Sequence, residues 1–101
     1  MIQTKEKILE KTHMIMKDLQ GKRYKETCVR KINFHKKNDT LHSQELTSDV
    51  WVISLNSIFD KIDFLTVSDE TGEPVFIRRF SYQVQEIKKD SNGKYYLVKE
   101  D

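Results

Sequence analysis

Val50-Trp51-Val52-Ile53-Ser54-Leu55 is apolar at every position but one. Alternation sends Trp51, Ile53 and Leu55 to one face and Val50 and Val52 to the other. A strand apolar on both faces belongs inside a sheet, with both of its faces in need of cover. The neighbouring segments repeat this two-sidedness. Ile62 to Ser68 sets Phe64 against Leu65 and Val67, and the stretch from Val75 sets Val75 and Ile77 against Phe76 and Phe80.

Turn chemistry separates these runs. Asp69-Glu70-Thr71-Gly72-Glu73-Pro74 is a turn in which Gly72 can take positive φ, and Pro74 suits the first residue of the next strand. Asp90-Ser91-Asn92-Gly93 is a second tight turn, and the polar stretch 38–49 reads as a long hairpin loop. Strands are expected at about 24–37, 50–55, 62–68, 75–88 (with a bend at Ser81) and 94–99. In the first of them Cys28, Ile32 and Phe34 share a face that Arg30 interrupts. A bulge near Arg30 would bring Val29 round to join them.

Upstream lies one helix, at about 4–20. Ile8, Leu9, Thr12, Ile15, Met16 and Leu19 form its apolar stripe, Thr4 is placed to cap it, and Gly21 to end it in a left-handed conformation. The pattern therefore predicts a single α+β domain over residues 1–101. One N-terminal helix packs on a curved antiparallel sheet of four to six strands in meander order. A helix of about 17 residues is about 25 Å long and covers one sheet face, not two. Either the sheet curls around it, or the second face is buried against something else.

Composition narrows the class. The 101 residues carry a net charge of only +2 and ten aromatics, enough for one modest core. No apolar run reaches the roughly 18–20 residues that span a bilayer, so no membrane association is expected. The N-terminus lacks the apolar core of a signal peptide, and the lone Cys28 suits a reducing compartment. The expected location is cytoplasmic.

Charge is segregated along the chain. Lys22, Arg23, Lys25, Arg30, Lys31, Lys36 and Lys37 face a single acid, Glu26, whereas Asp60, Asp63, Asp69, Glu70 and Glu73 face a single base, Lys61. Such a dipole can steer a charged partner or bring two copies together head to tail. A plainer role for the basic run is an exposed strand whose lysines discourage edge pairing.

Catalytic patterns are missing from the sequence. His13, His35 and His42 have no metal-ligand spacing, and Cys28 reads as a buried thiol. With three glycines there is no phosphate loop, and no cofactor is implied. The chain is expected not to be an enzyme. Balanced charge and the lack of an RNA-binding aromatic box argue against nucleic acid. Arg78-Arg79-Phe80-Ser81-Tyr82 has instead the composition of an interface hot spot. Alternation puts Arg79 with Val75 and Ile77, and Arg78 with Phe76 and Phe80. Trp51, Arg78, Phe80 and Tyr82, with Met14 on the polar side of the helix, are the candidate partner- or ligand-binding residues.

The order of helix, strand, Asp49-Val50-Trp51-Val52-Ile53-Ser54 and then Leu65-Thr66-Val67-Ser68-Asp69-Glu70-Thr71-Gly72-Glu73-Pro74-Val75 resembles two groups of small bacterial helix-plus-meander domains. These are the PepSY type and the immunity proteins of polymorphic-toxin loci. The chain departs from the PepSY pattern in lacking a secretion signal and in its basic first strand. The immunity-type resemblance implies a protein that covers a toxin's active surface without chemistry of its own. The other expectations are a cystatin-like or NTF2-like cone holding a small apolar ligand, and a homodimer with an accessory role.

Overall fold

The computed structural model describes residues 1–41, 44–56, 61–79 and 84–98. Helix α1 (Lys5–Gln20) begins where Thr4 caps it, the Thr4 hydroxyl accepting from Lys7 N at 3.2 Å. Ile8, Thr12, Ile15 and Met16 are its buried residues. Thr12 is tolerated there because its hydroxyl donates back to the Ile8 carbonyl at 2.7 Å. Leu9, expected on the same stripe, is exposed at its flank.

Gly21 ends the helix with φ 55° and ψ −120°. The φ is positive as expected, but the ψ lies outside the left-handed helical region. The chain then runs into two single 3-10 turns, Gly21–Arg23 and Glu26–Cys28. Strand β1 is consequently Val29–His35, shorter than the expected 24–37. Cys28 does reach the core from the second turn, and Tyr24 packs against it from between the two; a spacing of four residues satisfies a helical turn as well as strand alternation. The expected bulge lies between Val29 and Lys31, and Val29 packs on the core.

Within the expected long loop, β2 (Thr40–Leu41) pairs with β3 (Gln44–Glu45) as a small separate ribbon. There follow β4 (Val50–Asn56), β5 (Ile62–Ser68), β6 (Pro74–Arg78), β7 (Val84–Lys89) and β8 (Tyr95–Leu97). The main sheet is antiparallel in the order β1-β4-β5-β6-β7-β8. The span expected as one strand at 75–88 is two, β6 and β7, paired through Phe76 and Glu86. Separate hairpin arms give both strands a ladder partner, which a single bent strand would not. The expected bend at Ser81 lies outside the described residues.

Register aligns the side chains in rows. Phe34, Trp51 and Val67 share one row, and Ile32, Ile53, Leu65 and Ile77 the next. These residues, with Leu55, Ile87 and Tyr95, meet Ile8, Ile15 and Met16 of the helix in the core. The helix touches both edge strands. On one flank Lys11 lies over the Tyr95 ring and Asp18 accepts from Tyr95 N, binding it to β8. On the opposite flank His13 meets Tyr24, which leads into β1. The sheet therefore curls around the helix, and among the described residues β1 and β8 do not pair to close it.

The helix is fixed at its entry by Asp69, in the turn after β5, which is only 1% exposed. One carboxylate oxygen accepts from Ile2 N at 2.8 Å; the other accepts from Gln3 N at 3.0 Å and from the Trp51 indole at 2.8 Å. In the same turn Gly72 has φ +72°, and a Cβ there would meet the Gln3 side chain at 3.2 Å. Burial alone would raise the Asp69 pKa. The three hydrogen bonds and the nearby N-terminal ammonium outweigh it and hold the carboxyl below its ordinary value.

Asp69→Asn keeps the shape but turns an amide donor toward groups that need acceptors. A loss of about 2–3 kcal/mol is expected, read from the urea midpoint at an unchanged m-value. Because the folded pKa is depressed, the stabilisation is present above about pH 4 and is lost as pH falls through the folded value. The gap between native protein and variant should narrow on acidification.

Candidate functional site

The outer, convex face of the sheet carries what the helix does not cover. One row across it is Lys31, Ser54, Phe64, Arg78 and Val84; the next is Asn33, Val52, Thr66, Phe76 and Glu86. Val50 lies beside His35 and Ser68 in a third. Val50 and Val52 are buried but stand outside the core cluster, as the two-faced reading of this strand anticipates. Phe64 and Phe76 are half-buried, Val84 is 39% exposed, and Tyr96, also on this face, is 45% exposed.

Arg78 stands amid these apolar side chains. Among the described residues its buried Nε donates to nothing and Arg78 forms no ion pair. An N–H in that position has lost water without gaining an acceptor, a cost that a carboxylate or carbonyl from outside would remove. Arg79 has the opposite fate on the concave side. Its Nη1 meets the buried Asp63 at 3.4 Å, and its Nε donates to Gln85 at 3.2 Å. Alternation assigns the two arginines to these faces correctly; burial and partners separate their roles.

The other sequence candidates do not join Arg78. Trp51 is 4% exposed, on the concave face, with its ring edge-on to Phe34 and its indole on Asp69. It is a core residue, so its truncation reports on folding rather than on an open surface. Met14 is 55% exposed, on the outer flank of the helix. Phe80 and Tyr82 lie outside the described residues, as does His42. Cys28 is buried, and burial pushes its thiol pKa up, away from a reactive thiolate.

The charged segments take unequal forms. Of the acids in 60–73, Asp63 is paired with Arg79, Asp69 with the N-terminal segment, and Glu73 with Lys11 and Lys89 at 3.2 and 3.3 Å. All seven bases between Lys22 and Lys37 are exposed, and among the described residues none forms an ion pair. The basic half of the dipole is thus a surface property, whereas much of the acidic half is internal. Sequence gives no sign of this, because pairing with Arg79, Lys11 and Lys89 is set by the sheet.

Glu73 is the centre of a second polar knot. It accepts from the Tyr95 hydroxyl at 2.5 Å as well as from the two lysines, and both ammonium groups lie over the Tyr95 ring at 5.2 and 5.1 Å. Burial, followed by the bond to Glu73, pushes the Tyr95 pKa up to about 12. This arrangement ties helix, turn and β8 together.

No family model, no curated protein and no solved structure matches this chain. The residues themselves carry the functional reading. Among the described residues no helix is long and apolar enough to cross a membrane.

A raised tyrosine pKa makes its hydrogen bond a stabilising feature below pH 10 that is lost as pH rises through about 12. Titration followed at the phenolate absorbance should show a late step near that value. The step should vanish in Tyr95→Phe, with about 1–2 kcal/mol of stability lost at neutral pH.

Proposed function

We propose that this chain is a non-enzymatic protein-binding module that works by covering a partner's surface, in the manner of an immunity or inhibitor protein. The observation that supports it is the convex face, where Phe64, Phe76 and Val84 flank an arginine whose Nε has no acceptor among the described residues. Apolar contact area around a desolvated arginine is what binding hot spots are made of. The concave side, where a cone-shaped domain would hold a small ligand, is filled by Ile8, Ile15 and Met16 of the helix. This favours recognition through the outer surface.

Two substitutions test the reading. Arg78→Ala removes the unsatisfied donor, and Val84→Glu puts a charge at an exposed position in the same row. Both should fold with near-native stability. A protein captured from the native host and reconstituted with purified chain should bind each variant at least about tenfold more weakly by calorimetry, a loss of about 1.4 kcal/mol or more. Equal affinity for both variants would overturn the assignment of this face. Light scattering that shows a stable dimer, dissociated by Val84→Glu, would replace a foreign partner with a second copy.

A further inference from the structure

We propose that the free edge of β1, with the cations around it, is a docking site for an acidic, extended segment of a partner polypeptide. This rests on the protein-binding reading and names the partner's chemistry. Strand β1 ends the sheet: among the described residues it pairs with β4 alone. Alternate backbone N–H and C=O groups of a seven-residue strand therefore face outward, a template for one more strand.

Cations flank that template at both ends. Lys22, Arg23 and Lys25 lie in the turns that lead into it, Arg30 and Lys31 within it, and Lys36 and Lys37 just beyond. The strand spans about 23 Å, so a segment laid along it meets positive charge at both ends, from Arg30 and Lys31 at one and Lys36 and Lys37 at the other. All seven side chains are exposed, and among the described residues none is matched by an acid.

The same charges say which strand can be added. A second copy aligned β1 to β1, parallel and in register, would set Arg30 and Lys31 against their own counterparts, and like charges across a strand pair repel. Of the acidic segment, Asp63, Asp69 and Glu73 are already paired within the chain, which leaves a second copy fewer acids to offer from it. The edge thus favours a carboxylate-bearing strand over a second β1. Nucleic acid fits less well. The aromatics of this stretch face inward, Phe34 against Trp51 and Tyr24 bonded through its hydroxyl to His13 at 2.7 Å, so no ring is offered for base stacking.

The test uses a fluorescent peptide of about twelve residues alternating Glu and Thr, long enough to pair with the whole strand. Its controls are the Gln–Thr analogue and a single-stranded oligothymidine of similar length. The acidic peptide should bind and the neutral one should not, with affinity falling about tenfold or more between about 50 and about 300 mM salt. Amide hydrogen exchange should slow at alternate residues of β1. Arg30→Glu with Lys31→Glu should weaken binding about tenfold or more, and Val84→Glu should leave it unchanged. Equal binding of the two peptides, or protection away from β1, would overturn the proposal. Oligothymidine bound more tightly than the acidic peptide would replace it with a nucleic-acid site. Loss of the partner in Val84→Glu, with no peptide bound at β1, would leave the convex-face reading standing and remove this one alone.

Discussion

The carboxylate of Asp69 is the group on which the arrangement of helix and sheet depends. It lies in a turn between two strands, yet its acceptors serve the backbone of Ile2 and Gln3 and the indole of Trp51. A buried carboxylate is costly unless its lone pairs are filled, and the donors here come from the N-terminal segment and from β4. The entry of the helix is thereby fixed over the turn that Gly72 shapes. The side chains of Ile8, Ile15 and Met16 then fall into the concave face rather than alongside it.

With the entry fixed, the remaining polar contacts set how the sheet wraps. Tyr95 is held by Asp18 through its backbone and by Glu73 through its hydroxyl, which draws β8 against one flank of the helix. Tyr24 and His13 draw the start of β1 against the other. A sheet curled in this way packs one face against the helix and turns the other outward. On that outer face Val50 and Val52 are still buried, Phe64 and Phe76 are half-buried and Val84 is exposed, and the Nε of Arg78, without an acceptor among the described residues, lies among them.

Electrostatics follows the same division. Acids at turns and strand ends come within reach of bases brought in by neighbouring strands, so Asp63 and Glu73 are matched inside the molecule. The bases of β1 and the turns before it lie at the sheet's edge, where no further strand of the described chain brings an acid. A charge pattern nearly symmetric along the sequence becomes one-sided in space. The protein-binding reading gains from this a direction as well as a surface.

The local rules carried much of the architecture. Periodicity places the helix and its cap, alternation assigns each residue of β4 and β5 to its face, and Gly72 and Pro74 mark the turn and the strand start. The bulge beside Arg30 was also legible, because only a shift of register lets Val29 join Ile32 and Phe34. Tertiary structure decided the rest. Whether Tyr24 and Cys28 belong to a strand, whether 75–88 is one strand or two, and whether Trp51 is core or surface all depend on contacts distant in sequence. Trp51 offered one clue, since a buried indole N–H needs an acceptor. The acid that accepts from it, however, lies 18 residues away in the chain. Alternation says that Arg78 and Arg79 face opposite ways; only the curl of the sheet says which one finds a carboxylate and which is left without an acceptor.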